Sequence, residues 1–274
     1  MSHAIHIGKL TLGEGHPLFL IAGPCVIESE RHTLRMAERL TAASRTLKIP
    51  FIFKASYDKA NRTSLGSYRG PGLQRGLQIL ARVRREFGLP VLTDVHEVSQ
   101  VRPAAEVCEV IQIPAFLSRQ TDLLLEAGRA GVVVNIKKGQ FLSPHDVRNA
   151  VEKVASTGNH RILLTERGAS FGYNNLVVDF RGLAIMKELG YPVILDVTHS
   201  LQLPGGEGTH SGGEPRFIEP LARAGVAAGV DGLFLEVHDN PARASSDGAT
   251  ALDLRRFKRL ASKLRNLGAF VRRL

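Results

Sequence analysis

Eight short apolar runs recur along the chain, and segments of helical period fill the intervals between them. The runs are Leu18 to Ala22, Phe51 to Lys54, Val91 to Asp94, Val110 to Ile113, Val132 to Ile136, Arg161 to Leu164, Val193 to Asp196 and Gly232 to Glu236. Strands joined by helix-length crossovers pair in parallel, because the chain must be carried back across the sheet before the next strand can start. Eight such units suggest an α/β fold closed as a (β/α)8 TIM barrel, an architecture that typically takes about 250 residues. The expectation is one barrel domain over residues 1–274, with a small hairpin over Ile5 to Leu12 ahead of the first strand.

The clearest amphipathic helices are Thr33 to Leu47, Leu73 to Phe87 and Asp146 to Ser156, the last opened by Ser143 and Pro144 as cap and first-turn residues. A final helix is expected from about Leu252 to Arg272. Three connections are long and glycine-containing: Ser56 to Gly72, Glu166 to Asn175, and Ser200 to Gly213. In a barrel, long loops after strands form the active-site face.

Composition narrows the function classes. Apolar runs such as Pro17 to Ala22 and Gly131 to Ile136 fall well short of the ~20 residues a bilayer span needs. The N-terminus, with His3 and His6 and no apolar core, does not read as a signal peptide, so a soluble cytoplasmic protein without a membrane partner is expected. Two cysteines, Cys25 and Cys108, build no disulfide framework; Cys108 reads as packing ahead of a strand. The net charge of +10 suits anionic small substrates through steering, and it also suits a polyanion. Much of the excess lies on two helices, one with Arg82, Arg84 and Arg85, the other with Arg255, Arg256, Lys258 and Arg259. With no tryptophan and four tyrosines, a stacking platform for single-stranded nucleic acid is missing, so a non-catalytic RNA-binding barrel is the weaker alternative.

The chemistry concentrates at strand ends. Every expected C-terminal end delivers a polar group: Cys25, Lys54, Asp94, Gln112, Lys137 with Lys138, Arg167, His199, and Glu236 with His238. One thiolate, one imidazole and two carboxylates, from Cys25, His199, Glu236 and Asp247, would make a four-ligand site for a divalent metal. Iron(II), manganese(II) and zinc all remain open. Each residue has an ordinary reading alone: a hydrogen-bonded histidine, a barrel-mouth carboxylate, a helix cap before Gly248, a small apolar thiol. A cationic half, with Lys54, Lys59, Arg62, Arg69, Lys137, Lys138 and Arg167, would hold phosphate and carboxylate groups.

The segments AGPCVIES (from Ala22), FKASYDKANRTS (from Phe53), SYRGPG (from Ser67), LTDVHE (from Leu92), IQIPAFLSRQTDLL (from Ile111), NIKKGQFLSP (from Asn135), ERGASFGYNNLVVD (from Glu166), LDVTHSLQLPGG (from Leu195) and LEVH (from Leu235) together carry a resemblance. The chain resembles the 3-deoxy-D-manno-octulosonate 8-phosphate synthase family, within the phosphoenolpyruvate-condensing aldose synthases. The resemblance runs from Ala22 to Leu252. It implies that Lys59, Lys137 and Arg167 hold phosphoenolpyruvate, with Lys54 and Gln112 nearby. It implies that Asn61 and Arg62 take arabinose 5-phosphate, Arg62 at the phosphate. Arg119 would reach a neighbouring subunit's sugar phosphate, which implies a homotetramer. Cys25, where the metal-independent branch has asparagine, places the likeness with the metal-dependent branch, as does the QLPGG stretch from Gln202 to Gly206.

The implied reaction makes a lipopolysaccharide precursor: carbon 3 of phosphoenolpyruvate attacks the aldehyde, water adds at carbon 2 and phosphate leaves. Lys59, Lys137, Asp94 and His199 are the expected catalytic set. The rival is the sister 3-deoxy-D-arabino-heptulosonate 7-phosphate synthase, which condenses erythrose 4-phosphate and usually carries Lys-Pro-Arg-Thr where this chain reads Lys59-Ala60-Asn61-Arg62. An asparagine side chain can hydrogen-bond a sugar hydroxyl and a proline cannot, so the five-carbon sugar is favoured.

Overall fold

The protein is described by a computed structural model over residues 3–62, 64–206 and 212–274. Its centre is a ring of parallel strands: β1 (Phe19–Gly23), β2 (Phe51–Lys54), β3 (Val91–Asp94), β4 (Val110–Ile113), β5 (Val133–Lys137), β6 (Ile162–Glu166), β7 (Val193–Asp196) and β8 (Gly232–His238). Each strand pairs with its predecessor, and β8 pairs with both β7 and β1, so the ring closes. Outside it lie α1 (Glu30–Leu47), α2 (Leu73–Phe87), α3 (Val98–Val107), α4 (Thr121–Arg129), α5 (Val147–Ala155), α6 (Arg181–Lys187), α7 (Ile218–Ala227) and α8 (Leu254–Val271). This is the expected (β/α)8 barrel.

Side chains alternate between the two faces of a strand, which sorts the buried residues into two sets. One set packs strands against helices and includes Leu20, Phe53, Ile111, Leu164, Leu195 and Cys108. The other fills the barrel interior with Phe19, Ile21, Ile52, Leu92, Val110, Val133, Leu163, Ile194 and Phe234. Ile5, Ile7 and Leu12 join that interior set: the antiparallel hairpin of Ile5–Ile7 and Leu10–Leu12 seals the N-terminal end of the barrel. At Gly232 a Cβ would stand 2.5 Å from the Phe19 ring, so glycine is needed for that ring to fill the base.

Two residues further along seven of the eight strands the interior turns polar. Lys54, Asp94, Gln112, Asn135, Thr165, Asp196 and Glu236 each follow an interior apolar residue at that spacing, and all are buried. The barrel therefore has an apolar base and a charged mouth, and the mouth is where the C-terminal strand ends open.

Four strands have the expected bounds, whereas β1, β5, β6 and β8 run further toward their C-termini. Apolar pattern ends where the polar mouth begins, but the backbone ladder continues through it. Helix α1 starts at Glu30 rather than Thr33, because Ser29 caps it by accepting the His32 N–H at 3.2 Å. Ser143 does not cap α5 directly: it accepts the Asp146 N–H at 3.3 Å in the turn before the helix. Helix α8 starts at Leu254, where Asp253 accepts the Arg255 N–H at 2.8 Å. All three long loops lie on the mouth side; residue 63 in the first and residues 207–211 in the third fall outside the described residues. Among the described residues no helix is long and apolar enough to cross a membrane.

Candidate functional site

The polar layer is a bonded network. Asn135 donates to Gln112 at 2.9 Å and accepts from Thr165 at 2.7 Å, linking β4, β5 and β6 across the interior. Lys54 donates to Glu236 at 3.0 Å and to the Cys25 carbonyl at 2.8 Å. Lys137 pairs with Asp196 at 2.5 Å and lies 4.0 Å from the Phe234 ring centroid. Burial lowers the Lys137 ammonium from its ordinary value, with Asp196 working in the opposite direction. Burial would raise the Asp196 carboxyl, yet His199 and Lys137 hold it well below the usual range.

Above this layer opens a cleft of about 600 Å³, lined by Lys59, Arg62, Arg167, His199, Gln202 and Asp247 among others. Asn61 is on the same wall. Lys59 lies 4.0 Å from Glu236; burial works against its charge, but Cys25, Glu236, Asp94 and Asp247 hold its pKa up. Arg62 approaches Asp247 at 3.8 Å. Arg167 donates one arm to Gln202 at 2.9 Å, while its Nη1 is buried with no hydrogen-bond partner among the described residues. A guanidinium with a free buried arm is an anion receptor.

Cys25, Glu236 and Asp247 offer ligand-type atoms within 4.8 Å of one another. His199 Nε2 lies 3.4 Å from Glu236 Oε1, and its Nδ1 meets Asp196 Oδ2 at 2.7 Å. That second contact puts the ring proton on Nδ1 and leaves the Nε2 lone pair free. Glu236 Oε2 is buried with no hydrogen-bond partner among the described residues. Cys25 Sγ is 2.8 Å from Asp247 Oδ2 and 2.9 Å from Ser246 Oγ. Burial, Asp247 and Glu236 push the Cys25 thiol up, so the thiolate would form only when a cation displaces the proton. An open carboxylate oxygen, a free imidazole nitrogen, a thiol and a second carboxylate could together hold a borderline divalent metal.

A second ligand-type group, Glu28, His32 and His238, also lies within 4.8 Å, between the end of β8 and the start of α1. Its hydrogen bonds argue for a different role. His238 Nδ1 accepts the Asn240 N–H at 2.9 Å, so its proton sits on Nε2, 3.3 Å from Glu28 Oε1. His32 Nε2 faces Asp239 at 3.1 Å. These contacts leave one imidazole lone pair and one carboxylate, too few for a metal. Glu28 Oε1 accepts the Ser245 N–H at 2.7 Å, so the group braces the loop that carries Ser246 and Asp247.

Of the site residues expected from sequence, Lys59, Asn61, Arg62, Arg167, His199 and Asp247 line the cleft. Cys25, Lys54, Lys137 and Glu236 are buried beside it. Gln112 and Asp94 belong to the polar layer below; Asp94 Oδ2 contacts His96 at 3.0 Å. Lys138 is turned away, 3.4 Å from Glu166. Arg119 is exposed and lies outside the residues that line the cleft. Asp247 is no helix cap: it sits in a turn at φ 50°. Sequence reasoning missed Asp196, which ends β7 three residues before His199, and Gln202 as a contact between cleft residues.

Residues 3–272 match the profile of the DAHP synthetase I family. The chain is 59% identical over 272 residues to a 2-dehydro-3-deoxyphosphooctonate aldolase of Syntrophotalea carbinolica, covering 99% of this chain and 98% of that one. It is 58% identical to the protein of the same name from Geobacter metallireducens and 57% to that of Pelobacter propionicus, in each case over 99% of this chain and 100% of the relative.

Proposed function

This chain belongs to the DAHP synthetase I family, and from that premise we propose that it condenses phosphoenolpyruvate with D-arabinose 5-phosphate and water to give 3-deoxy-D-manno-octulosonate 8-phosphate and phosphate. The observation that carries this reading is likeness along nearly the whole chain to several 2-dehydro-3-deoxyphosphooctonate aldolases, with a cleft of matching chemistry. The seven-carbon sister product is not favoured: these relatives carry the octulosonate name, and Asn61 stands on the cleft wall.

In the reaction a bond forms between carbon 3 of the enol phosphate and the aldehyde carbon, water adds at carbon 2, and the carbon 2 to oxygen bond breaks to release phosphate. Arg167, Lys59 and Lys137 hold the phosphate and carboxylate of phosphoenolpyruvate, the free arm of Arg167 supplying directed donors. Asp94 lies below Lys59 and helps to keep it cationic. Arg62 takes the sugar phosphate and Asn61 a sugar hydroxyl. His199 is oriented by Asp196. Cys25, His199, Glu236 and Asp247 hold a divalent cation, whether zinc, iron(II) or manganese(II), which when bound supplies Lewis acidity toward the aldehyde or a water.

We read the working unit as a cytoplasmic homotetramer. Arg119, exposed beside the exposed Phe116, is available to a neighbouring subunit. The basic helix face of α2 offers little to a polyanion, since Arg82 pairs with Glu30 and Glu86, and Arg84 with Glu109.

Phosphate release from phosphoenolpyruvate with arabinose 5-phosphate or erythrose 4-phosphate, with and without a chelator, tests the reading. Turnover with the pentose phosphate that chelation stops and a divalent metal restores is expected. Turnover with erythrose 4-phosphate alone would assign the chain to the sister reaction, and indifference to chelation would remove the metal.

A further inference from the structure

We infer that Gln202 is a positioning residue that ties the guanidinium of Arg167 to the carboxylate of Asp247, setting the anion-holding half and the metal half of the cleft with one amide. The assignment rests on the metal reading of Asp247 given above. Gln202 Oε1 accepts from Arg167 Nη2 at 2.9 Å, and Gln202 Nε2 donates to Asp247 Oδ1 at 2.9 Å. It is buried, and it opens the short strand pair Gln202–Leu203 and Gly212–Gly213, so its backbone is anchored by a ladder.

The polarity of both partners is fixed. A guanidinium only donates. The Asp247 carboxylate accepts: Cys25 Sγ and Ser246 Oγ donate to its Oδ2 at 2.8 Å and 3.1 Å, and the Arg62 guanidinium lies 3.8 Å away. A bridge between them must therefore accept at one end and donate at the other, which an amide does without adding charge. Asparagine is one methylene shorter, and methionine fills the space with neither function.

The bridge divides the work of Asp247. Its Oδ1 is held by Gln202, which leaves Oδ2 facing Cys25 at 2.8 Å. On the other side, the bond to Gln202 occupies one arm of Arg167 and leaves Nη1 unpartnered among the described residues. Gln202 thus aims one oxygen at the thiol side and one guanidinium arm at an incoming anion. Because both ends act through one side chain, metal affinity and phosphoenolpyruvate affinity are coupled reciprocally.

The test is Gln202→Met, read by cobalt(II) titration of the metal-free protein and by phosphoenolpyruvate binding. The thiolate-to-cobalt absorption band reports on Cys25 independently of turnover. Loss of a residue that orients a ligand typically costs 10–100-fold in metal affinity, so cobalt binding should weaken by about tenfold or more. Phosphoenolpyruvate binding should weaken with it, while the KM for arabinose 5-phosphate changes less and the melting temperature holds. If Gln202→Met does not fold, Gln202→Asn carries the same expectation. Cobalt affinity within about twofold of the parent, with weakened phosphoenolpyruvate binding, would make Gln202 a direct substrate contact and overturn the assignment. Failure of the parent itself to bind cobalt would instead strike the metal reading, and the assignment with it.

Discussion

Two groups of histidine and carboxylate hang from the end of β8, one built on Glu236 and the other on His238 two residues later. Both bring at least three ligand-type side chains together, yet their chemistry diverges. In the Glu236 group, Glu236 Oε2 has no hydrogen-bond partner among the described residues and His199 keeps Nε2 free, because Asp196 takes Nδ1. In the His238 group the backbone of Asn240 claims the ring nitrogen whose lone pair would otherwise be available, and Glu28 is engaged by Ser245. Residue type nominates a metal site, but the hydrogen bonds already made to each donor atom decide whether it can bind one.

The sharpest way to break this comparison is Cys25→Ala. It should abolish metal binding and nearly all activity while leaving the melting temperature close to the parent's; full activity in metal-free buffer would merge the two groups into one class. If Arg62 takes the sugar phosphate as proposed, Arg62→Ala should raise the KM for arabinose 5-phosphate by at least about tenfold, with a much smaller change for phosphoenolpyruvate. Equal effects on both substrates would reject its placement at the sugar phosphate.

Glu28→Ala tests the bracing role. Ser245 is exposed, so water can replace the lost acceptor, and metal affinity should fall by roughly tenfold or less. A loss as complete as that of Cys25→Ala would make the second group a ligand site after all. The smallest effect is expected in the acid stability of the two regions. Burial, with the His238 ring beside it, holds the His32 pKa below 6.5, so the unfolded chain takes up the proton first and this contribution to stability declines as pH falls below that value. Asp94 is held well below 3.8, since Lys59 and His96 outweigh its burial; its stabilisation is complete above that value and lost only in stronger acid. Between about pH 7 and pH 5 the urea midpoint of the parent should therefore fall relative to that of His32→Gln. A difference between the two midpoints that stays constant down to about pH 5 would remove His32 from the account.

Much of this was legible in the residue order. Alternation of apolar runs with helical segments announced the barrel, and the end of each run delivered the polar group now found at the mouth, from Lys54 on β2 to Glu236 on β8. The hairpin from Ile5 to Leu12 was legible as well, though not its use as the plug of the barrel base. Ladder ends were misjudged by a residue or two on β1, β5, β6 and β8, as at Lys137 and Glu166. Gln202, Asp196 and Glu28 were passed over as site residues, because nothing in their neighbours in sequence marks what they touch.

Sequence alone determined periodicity, and periodicity determines which side chains face inward, since strand alternation is a local property of the backbone. Tertiary structure alone decided which inward groups meet. Cys25 and Asp247 lie 222 positions apart in the chain and 2.8 Å apart in space, and only closure of β8 onto β1 brings them together. Tertiary structure also decided how each donor atom is occupied. Whether an imidazole nitrogen is free depends on a carboxylate or an amide arriving from another part of the chain, which no local pattern can specify.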